Sequence, residues 1–240
     1  MKHTIFVALL MFCIPAFGQI NLPAGVSTVD SVFAPKLTGE TFTEYKQFKG
    51  NQFITDDWME SDILLTTGQL VHKKNIKYNG LLDQVVWLNP VNSGEYMLDK
   101  LSVNEFWYKN EMGEPIHFRR ISMVDSKTGR RSEVFAEAVV EGKVSIYIQR
   151  RIMKVTAENI NDEDNKTYSI VVLGPKPIYY IKLPSGTYFV TDRITRHSFL
   201  KLFPDQRKAI SKLLSKNHLN FRSESAVIKT IELLNRELFR

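Results

Sequence analysis

The sequence predicts an α+β protein that is mainly antiparallel β: a strand meander forming a curved sheet, a sandwich or a partial barrel, followed by two to three helices. Between residues 58 and 191, short apolar runs recur about every ten residues with turn residues between them. No helix-length segment separates these runs, which indicates a meander and excludes a parallel βαβ arrangement. After Asp192 the apolar spacing becomes that of amphipathic helices.

The first residues predict a cleaved export signal over residues 1–18. Met1-Lys2-His3 precedes an apolar run over residues 5–14, and small residues lead to the predicted cleavage boundary between Gly18 and Gln19. This pattern is typical of a secretory signal, and the run is too short to span a bilayer as a permanent helix. We therefore expect a periplasmic or extracellular protein, with peripheral membrane association left open.

Cysteine usage agrees with export. The single cysteine, Cys13, lies inside the predicted signal, so the mature protein is predicted to contain no thiol. Such a protein must depend on its core for stability, and a chain of this length can bury one. Cys13 as a lipoprotein cysteine is the weaker alternative, because Phe12 stands where lipoprotein processing requires a small residue.

Composition and charge limit the classes of partner. With 43% hydrophobic and 24% charged residues, the chain has the composition of a folded domain, and it contains no second long apolar stretch. We expect no integral membrane span after signal cleavage. The net charge of +6 is mild, so it permits attraction to anionic lipid headgroups or glycans but does not indicate a nucleic-acid binder.

The chain after the signal divides into three predicted parts. Residues 19–55 form an irregular N-terminal arm, since prolines and glycines interrupt any periodicity. Residues 56–192 form the β-rich domain, whose clearest hairpin turns at Glu141-Gly142. The predicted strands cover residues 63–66, 69–72, 76–78, 84–88, 96–98, 103–107, 116–121, 134–140, 143–150, 152–155, 168–173, 178–183 and 187–191.

Residues 193–240 form the predicted helical segment, packed on the β-rich domain. Pro204 ends the first helix, and Ser223 or Ser225 is the expected N-cap of the third. Each helix carries one apolar stripe: Ile194, Phe199, Leu200 and Phe203 on the first; Ile210, Leu213 and Leu214 on the second; Val227, Ile228, Ile231, Leu234 and Leu238 on the third. An amphipathic stripe needs a surface to cover, either the sheet or a partner molecule.

Two segments carry a resemblance to known proteins. The first contains Trp58, Ile63, Gly68, residues 76–79 and Leu82-Asp83, and the second begins at Phe199-Leu200-Lys201-Leu202-Phe203-Pro204 and includes two following helices. Together they resemble a group of uncharacterised secreted proteins of Gram-negative bacteria, over about half of the mature chain. The resemblance implies export and a single domain. No activity is established for that group, so it implies no functional residues.

No catalytic or metal-binding motif is present in the sequence. The histidines after the signal, His72, His117, His197 and His218, do not have the spacing of zinc ligands, and we predict no metal site and no cofactor. Nucleophile elbows and glycine-rich phosphate loops are also missing. Asp56-Asp57, beside an aromatic residue, is the acidic pair that stands out.

Aromatic residues in the predicted strands are the candidate ligand contacts. We predict that Trp58, Trp87, Trp107 and Tyr147 line a concave sheet surface; packing in the core is the alternative for each. The predicted function is a noncatalytic exported binding or interaction module for an envelope protein, lipid or glycan. One alternative is an envelope hydrolase with dispersed acidic residues, and a second is docking of a partner on the helical segment.

Overall fold

The computed structural model describes residues 37–44, 48–124, 131–161 and 167–239. The predicted signal, its boundary at Gly18 and Gln19, and residues 19–36 of the predicted arm lie outside these ranges. In chain order the strands are β1 (Gly39–Thr41), β2 (Phe48–Lys49), β3 (Met59–Leu65), β4 (Leu70–Asn79), β5 (Gln84–Leu88), β6 (Glu95–Leu98), β7 (Val103–Lys109), β8 (Pro115–Val124), β9 (Arg131–Val140), β10 (Ser145–Gln149), β11 (Ile152–Asn161), β12 (Thr167–Pro175), β13 (Ile178–Lys182) and β14 (Tyr188–Thr191). The helices are α1 (Arg196–Lys201), α2 (Arg207–Lys216) and α3 (Glu224–Glu237).

Eleven strands form one antiparallel sheet, in the order β1-β6-β5-β4-β3-β7-β8-β9-β10-β13-β14, and this sheet is not closed. The predicted class, mainly antiparallel β with helices toward the C-terminus, is confirmed. Long-range contacts show that the sheet is strongly curved. The amide of Ile152, just after β10, donates to the carbonyl of Gly80 at the end of β4 over 3.0 Å, although four strands separate β4 from β10 in the sheet.

Strand β4 differs from the sequence prediction, which places two short strands at residues 69–72 and 76–78. The structure has one continuous strand with an irregularity at Lys73, whose φ is 51°. The Lys73 amide donates to the Asp62 carboxylate over 2.9 Å instead of continuing the ladder. A polar run over residues 72–75 at this bulge interrupts the apolar alternation, which is why one strand has the sequence pattern of two.

Aromatic side chains fill the sheet face that we call the inner face, defined by Tyr78, Phe106, Phe118 and Phe135. All four are at most 2% exposed. The rings of Phe106 and Phe118 are stacked with centroids 4.8 Å apart, and the Tyr78 ring lies 5.1 Å from that of Phe118. Each such side chain contributes about 1.5–3 kcal/mol through burial, so this cluster is a principal source of stability.

The three helices cover the other end of the inner face. Ser223 is the N-cap of α3, as predicted, and its side chain accepts from the Ala226 amide. The apolar stripes on α2 and α3 pack with Val144, Ile146 and Ile148 of the predicted hairpin. Docking of a partner on these stripes is therefore wrong, because they are already buried in one cluster formed by the helices and the sheet. Six stripe residues are less than 9% exposed: Ile210, Leu213, Leu214, Val227, Ile231 and Leu234.

A second sheet contains β11, β12 and the short β2, which runs parallel to β12. Strands β11 and β12 form a long antiparallel ribbon. Its residues 153–160 and 167–172 are exposed or half-buried. Both β1 and β2 fall within residues 19–55, and each pairs with a strand of the β-rich region. Among the described residues, no helix has the length and apolar content needed to cross a membrane.

Candidate functional site

A cleft of about 1080 Å³ opens on the inner face where the strands diverge. Its lining comes from the segment before β3, from the β7–β8 hairpin, and from the connections between β10, β11, β12 and β13. Its walls are mostly apolar, with Phe53, Ile54, Met59, Ile116, Leu173 and Pro177 among the lining residues. Ligand pockets in proteins typically have volumes of about 300–1,000 Å³ and similar walls, so this cleft is large enough for a small molecule.

Side-chain hydrogen bonds fix the segment that forms one wall. The Asn51 side chain accepts from the Phe53 amide over 2.8 Å and donates to the Asp56 carboxylate over 2.5 Å. Gln52 is buried and its amide oxygen accepts from Asn79 Nδ2 over 2.9 Å. Because these bonds hold residues 51–56 against the end of β4, the wall is formed before any ligand arrives.

The opposite wall follows from the way β10 ends. After Gln149 the chain leaves the large sheet through Arg150 and Arg151 and enters the ribbon at Ile152. The Arg151 carbonyl accepts from the Lys176 amide over 2.8 Å, which joins this connection to the one between β12 and β13. The cleft lies where the chain leaves the sheet after β10, and the two connections border it.

Arg150 lies at the base of the cleft between two carboxylates. Its Nε is 2.5 Å from Glu137 Oε2, and its Nη1 is 2.9 Å and 3.0 Å from the two oxygens of Glu224 on α3. Burial alone would lower the pKa of Arg150, but the hydrogen bonds and charges of Glu137 and Glu224 outweigh it and raise that pKa. Arg150 is therefore a permanent cation whose charge is already balanced.

Tyr108 is the second polar group at the base. It is 8% exposed, lines the cleft and packs on Phe118 with ring centroids 6.3 Å apart. Burial, followed by the negative charge of Glu137, raises the pKa of Tyr108 to about 12, so its hydroxyl is a neutral donor. Within the described part of the chain this hydroxyl forms no hydrogen bond.

A buried polar centre beside the cleft holds the β4–β5 turn in place. Asp83 Oδ1 accepts from the Tyr78 hydroxyl over 2.6 Å and from the Phe135 amide over 3.1 Å, and Asp83 Oδ2 lies 2.5 Å from Lys100 Nζ. Burial raises the pKa of Asp83 despite these partners. The pairing of β9 with β10 ends at Glu137, so the Phe135 amide has no partner on β10. The Asp83 carboxylate accepts from this amide instead.

The structure separates the four aromatic residues predicted as ligand contacts, and none of them lines the 1080 Å³ cleft. Trp58 lines a smaller cleft of about 280 Å³, where Lys77 Nζ lies 5.2 Å from its ring centre. Trp87 is half-buried next to Tyr96, with ring centroids 6.0 Å apart. Its indole N–H is buried and forms no hydrogen bond within the described residues.

The other two predicted contacts, Trp107 and Tyr147, lie on the opposite face of the sheet, which we call the outer face. A network of polar side chains connects them. Trp107 packs edge-on against His117 at 5.6 Å, and the Tyr147 hydroxyl donates to Glu141 over 3.0 Å. Glu105 and Arg119 form this network: Glu105 binds His117 over 2.8 Å and Arg119 over 2.9 Å, and Arg119 reaches Glu141 over 2.5 Å. As ligand contacts, all four aromatic residues stay predictions.

Two histidines contact carboxylates. His72 Nδ1 lies 3.3 Å from Asp62, and His117 Nε2 lies 2.8 Å from Glu105. Over residues 37–44, 48–124, 131–161 and 167–239, no three His, Cys, Asp or Glu side chains come together in a way that could hold a metal ion.

Sequence reasoning missed the polar base of the cleft. Tyr108, Glu137 and Arg150 come from different strands or connections and belong to no motif. For Glu137 the strand pattern contained a usable signal. Glu137 lies two residues after the buried Phe135 on the same strand, so the two side chains lie on the same face of the sheet. A charged residue in phase with apolar neighbours on a strand is a candidate for a buried polar site.

Comparisons of the chain with protein-family models, with curated proteins and with solved structures found no match.

Proposed function

We propose that this chain is an exported, noncatalytic binding protein whose cleft holds the apolar part of a lipid-like molecule. The observation that carries the proposal is the cleft itself: about 1080 Å³, mostly apolar walls, and a polar base. Of the three partner classes predicted from the sequence, a lipid agrees best with these walls. The aliphatic side chains of Ile54, Met59, Ile116 and Leu173 on the lining favour an acyl chain over a glycan, and a folded protein would need a broad surface instead of a cleft.

The apolar walls predict how affinity depends on chain length. Burial of one methylene group contributes about 0.8 kcal/mol, which corresponds to roughly a fourfold gain in affinity for each added methylene. This gain must stop once the chain exceeds the length of the cleft. A series of acylglycerols of increasing chain length is therefore expected to show rising affinity followed by a plateau.

A fluorescence assay tests the proposal directly. N-phenylnaphthylamine is expected to gain fluorescence on binding to the mature protein, and dodecanoylglycerol is expected to displace it. Ile116→Trp, which places a large ring in the cleft, should abolish both effects. Val190→Trp, on the edge strand β14 and outside the cleft, is the matched control and should bind as the unmodified protein does. Equal binding by both variants would contradict the proposal.

One observation favours a hydrolase as the second candidate. The carboxylates of Asp56 and Asp57, the acidic pair noted in the sequence, line the same cleft as Glu137. The Asp57 carboxylate forms no hydrogen bond or ion pair within the described residues, so it is available to a substrate. Release of dodecanoate from dodecanoylglycerol, lost in Asp57→Asn and retained in Glu60→Gln, would establish this candidate in place of noncatalytic binding.

A further inference from the structure

We propose that the base of the cleft is a head-group site for an uncharged ester lipid, in which Tyr108 and Arg150 donate to the ester carbonyl and Glu137 accepts from a head-group hydroxyl. This inference rests on the proposed function and assigns the chemical class of the ligand. It depends on which hydrogen-bonding positions at the base are occupied and which are free.

Two donors at the base are free. The hydroxyl of Tyr108 has no hydrogen-bond partner within the described residues, although the residue as a whole is only 8% exposed. Arg150 uses Nε for Glu137 and Nη1 for Glu224, and no described residue accepts from its Nη2. Among the described residues, the buried polar atoms without a partner are Gln84 Oε1 and Trp87 Nε1, so the two free donors are not sealed in the core. Tyr108 and Arg150 both line the cleft, where a ligand acceptor can reach them.

One acceptor is free as well. Arg150 contacts Oε2 of Glu137, and Oε1 of the same carboxylate has no hydrogen-bond partner in the described part of the chain. The Glu137 side chain is 15% exposed and lines the cleft, where Oε1 can accept from a ligand donor. Two donors beside one acceptor match an ester carbonyl next to a hydroxyl, as in an acylglycerol.

Charge decides between a neutral and an anionic head group. The Arg150 guanidinium has two carboxylates within hydrogen-bonding distance, so the base carries more negative than positive charge. Elsewhere on the lining, the positive charges of Lys109 and Arg151 stand against Asp56, Asp57 and Glu111. A carboxylate or phosphate at the free donors would lie near the negative charges of Glu137 and Glu224 and be repelled by them, whereas an uncharged carbonyl uses the same donors without that repulsion.

The experiment compares head groups on one apolar chain. Isothermal titration of the mature protein with dodecanoylglycerol, dodecanoate and dodecyltrimethylammonium, each below its critical micelle concentration and at mildly alkaline pH, should rank the neutral ester first. Tyr108→Phe should weaken binding of the ester roughly 3- to 10-fold, the size of one neutral hydrogen bond. Tyr180→Phe is the control, because it removes a buried hydroxyl that donates to Gln149 outside the cleft, and its affinity should be unchanged.

Each other outcome overturns the inference in a distinct way. Equal affinity for the three head groups would mean that the cleft binds apolar chains without a head-group site, and the proposed function would survive alone. Tighter binding of dodecanoate would assign the base to an anion. Binding of an acetylated, amidated apolar peptide in preference to the ester would make the ligand a peptide. No binding of any probe would remove both the inference and the proposed function.

Discussion

The side-chain amide of Asn235 on α3 pairs with the backbone of Val144. Its Oδ1 accepts from the Val144 amide over 2.9 Å, and its Nδ2 donates to the Val144 carbonyl over 2.7 Å. This pair closes the β9–β10 turn against the helix. The turn includes Gly142, where a Cβ atom would lie 2.6 Å from Asn235 Nδ2, so a larger residue there would displace the Asn235 side chain.

Replacement of Asn235 should loosen the helices from the sheet. Asn235→Ala leaves a partly buried amide and carbonyl without partners, and we expect a loss of about 2 kcal/mol in the free energy of unfolding. Urea denaturation followed by circular dichroism measures this loss. Lys229→Ala, at an exposed position of α3, is the control and should change the free energy by less than about 0.5 kcal/mol. Equal effects would show that the Asn235 pair adds nothing.

The curvature of the sheet brings the backbone of Gly80 close to residues 150–152 and leaves no room for a side chain there. A Cβ atom there would lie 2.6 Å from the Arg150 carbonyl oxygen and 2.7 Å from Ile152 Cγ1. We expect Gly80→Ala to destabilise the fold by about 1–3 kcal/mol and to weaken ligand binding, because the clash displaces Arg150. Gly113→Ala is the control, because it introduces backbone strain without a clash. The φ of Gly113 is 78°, and no atom lies within 4 Å of the added Cβ. Gly113→Ala should reduce stability without changing affinity.

Glu105 predicts a pH dependence of stability. Burial alone would raise its pKa, but the hydrogen bond from His117 and the charge of Arg119 lower it below the ordinary value of 4.5. A depressed carboxyl pKa in the folded state contributes stability above the unfolded-state pKa, and that contribution is lost as the pH falls through the folded-state value. Glu105→Gln should therefore cost about 1–3 kcal/mol at neutral pH and progressively less as the solution is acidified below pH 4.5.

Denaturation at a series of pH values measures this dependence. Glu60→Gln, at an exposed position of β3, provides the matched control and should follow the unmodified protein at every pH. A difference between Glu105→Gln and the unmodified protein that stays constant across the acidic range would mean that Glu105 contributes through packing and not through its charge.

Ligand binding in the cleft should raise thermal stability. A ligand present at a hundred times its Kd and bound only to the folded state adds about 2.7 kcal/mol to the free energy of unfolding. Scanning calorimetry with dodecanoylglycerol should show this increase for the unmodified protein and for Val190→Trp, but not for Ile116→Trp. An increase that survives Ile116→Trp would place the lipid outside the cleft.

Local patterns in the sequence predict the strands and helices well. Alternation of Val144, Ile146 and Ile148 predicts one buried face of β10, and Ser223 predicts the start of α3, because both depend on neighbouring residues only. The alternation also predicts a half-buried strand, which is wrong, because Ser145, Tyr147 and Gln149 on the other face are buried as well. The single strand β4 could not be predicted, since its continuity depends on the contact between Lys73 and Asp62 on another strand.

The candidate site is harder to predict for the same reason. Tyr108, Glu137 and Arg150 meet because the sheet curves, and no local pattern in the sequence encodes that curvature. The four aromatic residues favoured by the sequence have the right composition for ligand contacts. Their strand register places Trp107 and Tyr147 on the outer face, and register is set by pairing over the whole sheet.

The contact between Gly80 and Ile152 also constrains the order in which the chain folds. Hairpins and the helical segment depend on neighbours in the chain, whereas this contact joins residues far apart, and we expect it to form after the strands between them have paired. Closing such a long loop is slow compared with hairpin formation. The cleft is therefore among the last features to form, and an incompletely folded chain with intact hairpins would have no binding activity.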